Sequence, residues 1–373
     1  MNLISIIFDI DLMMKRFAKN KDTGQLADIN LLFIEEPEAH THPQMQYVFI
    51  KNIKELLNEG VKDEYGNTKP LQYIVSTHSS HIVADSDYDD IKYLHRLDGK
   101  NAVEAKSLKA LSEVYDNKEH LRFLKQYITI NRSELFFADK AILIEGDTER
   151  ILLPAIIKKL DATEVAVKPE QPLISQNVSI IEVGAHAEIF VRLLNFLGLT
   201  KVLVLTDFDC CSAEGHHPKA KYQSGQSQVT SNTAIKYFFG ENESDKLASK
   251  TSNEKLFFWD EANGNMKAQN NGTYMVCYQI AENAYQPRSF EDNFMALNKQ
   301  FVLDTDFTDS AIDAGFKDGF DSTEKAYETA EKVNSKAAFA FEILLNSKKV
   351  GNDPFGGWAI PAYIKEGLLW LRK

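Results

Sequence analysis

The sequence is poor in cysteine, with three among 373 residues, two of them adjacent at Cys210 and Cys211. This arrangement forms neither a disulfide framework nor a zinc-ligand pattern, which favours a reducing, cytoplasmic setting. Long apolar runs are also lacking, so we expect no membrane-spanning segment. The apolar start carries Asp9 and Asp11, which is not the pattern of a secretory signal peptide.

Net positive charge is missing as well. The chain has 42 Lys and Arg against 54 Asp and Glu, a formal charge of −12. That balance argues against a generally basic nucleic-acid-binding surface, but it is compatible with a local basic groove or with phosphate binding through metal ions. The composition is otherwise that of an ordinary globular protein, and the length is sufficient for two domains.

Acidic residues follow two apolar runs in the middle of the chain. The run AILI ends at Glu145, with Glu149 in the first turn of a predicted helix, and the run VLVL is followed by Asp207 and Asp209. Ligands bind at the carboxyl edge of open α/β sheets, so these carboxylates are predicted to hold a divalent cation such as magnesium or manganese. For the first run alone, an ordinary helix start explains Glu149 equally well.

The segments EGDTE and DFD resemble the TOPRIM domain, the metal-dependent phosphoryl-transfer module of topoisomerases, primases and certain nucleases. Two later segments, RSFEDNF at 288–294 and SKAAFAFEILL at 335–345, resemble the downstream acidic motif and the lysine-bearing helix of the OLD (overcoming lysogenisation defect) family of ATP-dependent endonucleases. The resemblance covers most of the chain, except the polar stretch at about 212–271.

The resemblance implies a DNA endonuclease or nickase that uses two divalent metals, Mg²⁺ or Mn²⁺, in antiphage defence and as a homodimer. The metal ligands that it implies are six carboxylates: Glu145, Glu149, Asp207, Asp209, Glu291 and Asp292. Glu145 would act as general acid, general base or ligand, and Lys336 would offset negative charge in the transition state. Without the resemblance, Lys336, Glu291 and Asp292 would be ordinary surface residues.

The first third carries a second pattern. An apolar strand at 31–34 ends at Glu35 and Glu36, and about forty residues later LQYIVSTHSS places His78 after another strand. Together these segments resemble the Walker B strand and switch histidine of an ABC-type ATPase of the SMC-like branch. The resemblance implies that Glu35 lies on the magnesium side, that Glu36 polarises the attacking water and that His78 senses the γ-phosphate.

The sequence contains no GxxxxGK[ST] phosphate loop and no ABC signature. Because the loop's amides and lysine hold the nucleotide phosphates, we expect that this chain does not bind ATP tightly alone. ATP would become a cofactor only if a separate chain supplied the Walker A half. The first residues resemble the helix that follows the signature in the OLD family, so the expected ATPase lobe is truncated, split or degenerate.

The predicted fold class is α/β, with a truncated ABC-type ATPase lobe at 1–125 and a TOPRIM domain with a Rossmann-like, central parallel sheet at 126–373. A polar insert at about 211–272 is expected to begin with a mobile loop, in which Lys219 and Lys221 either contact a nucleic-acid backbone or are simply solvated. Predicted strands are 30–34, 71–76 and 91–96 in the lobe and 140–145, 178–182, 201–206 and 274–279 in the TOPRIM domain.

Two functional hypotheses follow. The first is the metal-dependent nuclease, favoured by the complete acidic set. The alternative is a non-catalytic, ATPase-derived interaction subunit that needs a partner carrying the Walker A half, and the missing phosphate loop keeps it open. A topoisomerase or primase is a poorer third, because neither a tyrosine-bearing cleavage domain nor a primase zinc motif is recognisable.

Overall fold

The structure, a computed structural model, describes residues 8–14, 29–39, 42–58, 60–62, 68–97, 102–115, 117–164, 171–214 and 218–373. The chain divides into two compact units, Met1–Phe137 and Ala138–Lys373. Each unit has its own apolar core. The functional assignment of 1–125 and 126–373 stays a prediction. None of the helices in the described ranges is both long and apolar enough to span a membrane.

The first unit is built around a pair of parallel strands. Its elements are α1 (8–14), β1 (Asn30–Glu35), α2 (Pro43–Asn58), β2 (Val61–Lys62), β3 (Thr68–Lys69), β4 (Leu71–Ser76), α3 (Ser80–Ala84), β5 (Lys92–Arg96), β6 (Val103–Ser107), α4 (Leu108–Glu113) and α5 (Lys118–Asn131). Strands β1 and β4 are parallel, with Glu35 opposite Ser76. Alternate residues of β1, Leu32 and Ile34, pack against Ile53 of α2. The three predicted strands are confirmed; of the predicted first helix, only residues 8–14 lie within the described part.

The second unit is larger. Its elements are β7 (Lys140–Ile144), α6 (Asp147–Thr163), β8 (Val178–Glu182), α7 (Val191–Leu197), β9 (Lys201–Leu205), β10 (Cys210–Ser212), β11 (Gln228–Thr230), α8 (Thr233–Phe239), α9 (Ser244–Ala248), β12 (Leu256–Asp260), β13 (Asn265–Ala268), β14 (Tyr274–Cys277), α10 (Phe290–Leu297), α11 (Lys299–Asp304), α12 (Phe316–Gly319), α13 (Ala326–Ala330), α14 (Lys336–Asn346), β15 (Lys348–Val350), β16 (Asp353–Gly356) and α15 (Ala362–Arg372).

A six-stranded sheet, in the order β13-β12-β14-β9-β7-β8, organises this unit. The four strands β14, β9, β7 and β8 are mutually parallel, and β12 and β13 extend the sheet in the antiparallel sense. Burial of β7, β9 and β14 explains their continuous apolar runs, because helices cover both faces of a parallel sheet. The predicted α/β class and its four parallel strands are confirmed.

The polar insert differs from the expected mobile loop. Its described residues form β10, β11, two short helices and the hairpin of β12 and β13, and Ile235 packs with Phe208 and Tyr278, which flank the insert, in a small apolar cluster. The aromatic rings supply this core even though the surrounding sequence is rich in Gly, Ser and Gln. Part of the insert is therefore packed against the sheet's carboxyl edge, and its strands β12 and β13 widen the sheet.

Helix α15 packs closely on the sheet through Gly367. A β-carbon at this position would lie 2.6 Å from Cδ1 of Leu203 and 3.2 Å from Sγ of Cys277. Glycine is the residue that permits this approach of helix to strand without displacement. The two contacted strands, β9 and β14, lead directly into Asp207 and Gln279.

Candidate active site

Adjacent parallel strands bring the predicted carboxylates to one edge of the sheet. Glu145 follows β7 and Asp207 follows β9, while Glu291 comes from the first turn of α10. A cavity of about 280 Å³ opens there. Its charged lining residues are Glu145, Asp207, Asp209, Lys219, Arg288, Glu291, Glu331 and Lys336. Four of the six predicted ligands and the predicted lysine therefore face a single space.

Glu145 is held by donors on one of its two carboxylate oxygens. Thr206 Oγ1 and the Asp207 backbone N–H each donate to Glu145 Oε2 at 2.7 Å, and Asn232 Nδ2 donates to the same atom at 3.2 Å. Among the described residues, no donor is placed on Oε1. Burial raises the pKa of Glu145, against the lowering effect of the hydrogen bonds from Thr206 and Asp207. This carboxylate is fixed in orientation yet has one oxygen left for chemistry.

Asp207 is almost fully enclosed. Gln279 Nε2 donates to its Oδ1 at 2.7 Å and the Phe290 N–H donates to the same oxygen at 3.1 Å. Gln279 is fixed in turn, because its Oε1 accepts from the Phe208 N–H at 2.7 Å. Burial, followed by repulsion from Glu145, raises the pKa of Asp207 well above its ordinary value. Two donors therefore hold one oxygen of a buried carboxylate whose ionised form is disfavoured.

Glu149 and Glu291 are buried neighbours. Burial and then the negative charge of Glu291 raise the pKa of Glu149 to about 8. Thr148 Oγ1 donates to Glu291 Oε1 at 2.9 Å, and Lys336 Nζ lies 3.2 Å from Glu291 Oε2. Lys336 is the first residue of α14, which Ser335 caps through the Ala338 N–H.

Lys336 supplies the positive charge nearest to these carboxylates. Loss of water lowers its pKa, but Glu291, Asp207 and Glu149 outweigh that effect, so the pKa of Lys336 lies above its usual value. Among the residues that the structure describes, Lys336, whose side chain is 58% exposed, is thus the single lysine acting on three buried carboxyl groups, Glu149, Asp207 and Glu291. The cluster therefore has more carboxyl groups than basic groups, and the raised pKa values of Glu149 and Asp207 show that its full ionisation is disfavoured.

Asp209 has a different environment. Its backbone φ is +50°, in the left-handed region, and its Oδ1 lies 2.7 Å from Arg288 Nη2. Arg288 also donates from Nε to the Cys210 carbonyl oxygen at 3.0 Å. Asp209 thus lines the cavity while paired with Arg288. Its left-handed backbone lies just after the end of β9, two residues beyond Asp207.

Asp292 differs from its neighbour Glu291. Its two oxygens accept from the Ser289 N–H (2.7 Å), Ser289 Oγ (2.9 Å), the Arg288 N–H (2.9 Å) and Tyr285 Oη (3.0 Å). The Ser289 contacts form a capping box at the start of α10. Four donors occupy the carboxylate, so in this structure Asp292 caps the helix, and its place in the ligand set stays a prediction.

The remaining donor set suits a hard divalent cation, since its atoms are carboxylate oxygens. Within the described residues, no three His, Cys, Asp or Glu side chains already surround one point as a metal site. The fit rests on charge: burial and mutual repulsion raise the pKa values of Glu145, Glu149 and Asp207. A bound cation would remove that repulsion.

In the first unit, two of the three predicted ATPase residues meet. Glu36 Oε1 lies 3.1 Å from His78 Nε2, and both side chains are exposed. The Glu36 N–H donates to the Ser76 carbonyl oxygen at 3.0 Å, with Glu36 at a φ of +41°. Glu35 is exposed at the end of β1 and has no described contact with this pair. Parallel pairing of β1 with β4 explains the meeting, because it aligns their carboxyl ends.

Sequence reasoning missed several residues that complete the site in the second unit. Thr206, Asn232 and Gln279 bind the oxygens of Glu145 and Asp207, and Arg288 binds Asp209. Thr206 directly precedes Asp207, so its place in the sequence indicated that it lies near the carboxylates. Asn232 and Gln279 carried none, because their roles depend on how distant segments meet.

Family models match two parts of this chain. Residues 1–83 match an AAA ATPase domain, and residues 136–209 match the TOPRIM domain of overcoming lysogenization defect-like proteins. Together with the parallel sheet and its acidic carboxyl edge, these matches define a protein with an ATPase-related segment and a TOPRIM domain.

The curated relatives of this chain are named as nucleases. Endonuclease GajA of Bacillus cereus strain HuB5-5 is 28% identical over all of this chain and 52% of that protein. The Old nuclease of Escherichia phage P2 is 25% identical over 51% of this chain and 30% of that protein. This chain is a homologue of the GajA and OLD nucleases, and it spans about half the length of the GajA relative.

Two solved structures align with part of this chain. The C-terminal region of the Burkholderia pseudomallei OLD protein aligns with 63% of this chain and 98% of that chain, at 20% identity and a TM-score of 0.31. The C-terminal region of the Xanthomonas campestris pv. campestris OLD protein aligns with 64% of this chain and 94% of that chain, at 18% identity and a TM-score of 0.31.

Proposed function

We propose that this chain is a divalent-metal-dependent nuclease that hydrolyses phosphodiester bonds in DNA. The observation that carries the proposal is the crowding of Glu145, Glu149, Asp207 and Glu291 around Lys336 at the carboxyl edge of the sheet. Such a cluster needs cations to be stable in its ionised form, and phosphodiester cleavage uses them. The names of the relatives, an endonuclease and a nuclease, support the same reaction.

Each residue has a distinct role in this proposal. Glu149, Asp207 and Glu291 would hold two Mg²⁺ or Mn²⁺ ions, which when bound supply a nucleophilic water near neutral pH and stabilise the attacking and leaving oxygens. Glu145 presents Oε1, the oxygen without a donor, to ligate a cation or to accept a proton from water. Lys336 offsets the negative charge that develops on the phosphate.

The test is nicking of supercoiled plasmid in Mg²⁺ or Mn²⁺. We expect cleavage by the wild type and a loss of at least about a hundredfold in Glu145→Gln and Asp207→Asn, each of which removes charge with little change in shape. The matched control is Asp260→Asn, at the end of antiparallel β12 and hence at the opposite edge of the sheet. Full activity in both site variants would disprove the proposed site.

The family resemblance extends the proposal to antiphage defence. Cells that express the wild-type chain should reduce the plating efficiency of susceptible phages, and cells with Glu145→Gln should not. Equal plating in the two strains would remove this part of the proposal while leaving the nuclease activity untouched.

A second candidate function is an ATPase-derived interaction subunit. The observation that favours it is the Glu36–His78 pair at 3.1 Å in a segment that matches an AAA ATPase domain. In this proposal a separate chain supplies the phosphate loop, and the assembly is built from homodimers. Fluorescent ATP should bind the chain alone no more tightly than millimolar. Micromolar binding by the isolated chain would contradict the need for a partner.

A further inference from the structure

The insert reaches the active site through three consecutive residues. Thr230 Oγ1 donates to the Phe208 carbonyl oxygen at 2.8 Å, and the Ser231 N–H donates to the Asp209 carbonyl oxygen at 3.0 Å. Asn232 follows and contacts Glu145 and Thr206. These bonds fasten a segment of the insert along the strand end that carries Asp207.

The two polar atoms of the Asn232 side chain, Oδ1 and Nδ2, make different contacts. Its Oδ1 accepts from the Ile235 N–H at 3.1 Å and so caps helix α8. Its Nδ2 donates to Thr206 Oγ1 at 2.8 Å and to Glu145 Oε2 at 3.2 Å. The side chain is 1% exposed, so water does not replace these partners freely. The capping contact and the active-site contact can therefore be separated by substitution.

The active-site contact restricts Glu145. Thr206 and Asn232 bind the same carboxylate oxygen and also bind each other, which closes a triangle of hydrogen bonds. With Oε2 taken by three donors, rotation of the carboxylate would break several bonds at once. The three donors leave Oε1 as the oxygen of Glu145 that accepts from none of them, and Glu145 lines the cavity.

We propose that Asn232 is a positioning residue that, with Thr206, orients Glu145 for cation binding, so that the polar insert is part of the catalytic apparatus. This inference rests on the proposed metal-dependent function. Partners that orient a metal ligand without touching the metal are usually worth 10- to 100-fold in metal affinity or activity. We expect a loss of about that size when the Nδ2 donor is removed.

The decisive variant is Asn232→Ser. Serine caps helices about as well as asparagine, but it is too short to reach Glu145 and adds no charge. The control is Gly240→Ala, which strains the left-handed C-cap of the same helix, at a φ of +60°, without touching Glu145. Thr206→Val and its conservative counterpart Thr206→Ser test the second donor.

The measurement is Mn²⁺ binding to the full chain by electron paramagnetic resonance, without DNA, with plasmid nicking in parallel. We expect about 10- to 100-fold weaker Mn²⁺ binding in Asn232→Ser and Thr206→Val, and near wild-type binding in Thr206→Ser and Gly240→Ala. Because both donors hold one oxygen, the double variant Asn232→Ser/Thr206→Val should lose less than the sum of the two losses.

Two results would overturn the inference in distinguishable ways. If the wild type binds Mn²⁺ but Asn232→Ser binds it within twofold, or no worse than Gly240→Ala does, Asn232 is only a helix cap and the proposed function stands. If the folded wild type neither binds Mn²⁺ nor nicks DNA, the proposed function fails and the inference fails with it.

Discussion

At the scale of single residues, neighbours in sequence have unlike environments. Glu291 and Asp292 both occupy the first turn of α10, yet Glu291 faces Lys336 while Asp292 accepts four hydrogen bonds from the segment before the helix. Glu145 and Glu149 differ similarly, because three donors bind one oxygen of Glu145, whereas the pKa of Glu149 is raised first by burial and then by the charge of Glu291. The role of each carboxylate at the carboxyl edge of the sheet therefore depends on which groups donate hydrogen bonds to it.

Glu149 should make the metal-free protein sensitive to pH. Its pKa rises from an ordinary 4.5 to about 8, first through burial and then through Glu291. Between these values the folded state keeps a proton that the unfolded chain has lost, so stability falls as pH rises through this window. Because Glu145, Asp207 and Lys336 share the cluster, Glu149→Gln should flatten that fall only in part.

Thermal unfolding in EDTA between pH 5 and 8.5 tests this expectation. The Tm of the wild type should decrease across the range, with a shallower slope in Glu149→Gln. Glu261→Gln, an exposed glutamate outside the cluster, is the matched control. Parallel slopes for all three proteins would show that Glu149 is not the source of the pH dependence.

The sequence located the acids of this site but not the residues that orient them. Glu145 and Asp207 stand at strand ends, where local pattern is informative, whereas Lys336 was indicated by the family resemblance alone. Asn232 lies 87 residues from Glu145, and Gln279 lies 72 residues from Asp207. No local pattern predicts such pairs, because the sheet order and the path of the insert bring them together.

At the scale of elements, a tight turn before α10 offers a clean test of backbone strain. Glu282 and Tyr285 exchange both backbone hydrogen bonds at 2.9 Å, and the two residues between them, Asn283 and Ala284, have φ values of +50° and +64°. Positive φ at both central positions is the type I′ arrangement, for which Asn-Gly is preferred. Ala284 therefore carries avoidable strain.

Ala284→Gly should stabilise the protein. Relief of the left-handed alanine is worth about 1 kcal/mol, which corresponds to roughly 2–4 °C in Tm for a unit of this size. Ala284→Val should shift Tm in the opposite direction, because a β-branched residue tolerates positive φ poorly. Differential scanning fluorimetry measures both. A lower Tm for the glycine variant would contradict the strain argument.

Element prediction succeeded where burial was continuous. The strands β7, β9 and β14 are apolar runs because both of their faces are covered. The hairpin of β12 and β13 was missed because it lies at the edge of the sheet and is mostly half-buried or exposed. Strand β13, which reads NMKA, has the pattern of a polar loop, whereas the run LFFW of β12 is an apolar strand signal inside an otherwise polar segment.

At the scale of the whole molecule, charge governs the encounter with DNA. A chain with a net charge of −12 repels a polyanion, and near the cavity only Lys219, Arg288 and Lys336 counter its acids among the described lining residues. Divalent cations would invert that local balance. DNA binding by this chain should therefore depend on metal.

We expect a short duplex to bind at least tenfold more tightly in Ca²⁺ than in EDTA at moderate salt, measured by fluorescence anisotropy. Lys219→Ala should weaken binding and reduce the salt slope by about 0.9. The control is Lys221→Ala, because Lys221 already lies 3.8 Å from Glu328 and over the Tyr285 ring. Equal affinity in Ca²⁺ and EDTA would show that the chain binds DNA through contacts that do not involve a metal ion.

Gly367 has an evolutionary consequence. Since a single added methyl group would collide with the side chains of Leu203 and Cys277, a replacement of Gly367 would require these two side chains to shift or to become smaller. A lineage that replaced this glycine would need compensating losses of volume in the strands beneath. Position 367 should therefore remain glycine even in descendants that have lost catalytic activity, because packing of the helix on the sheet requires it and catalysis does not.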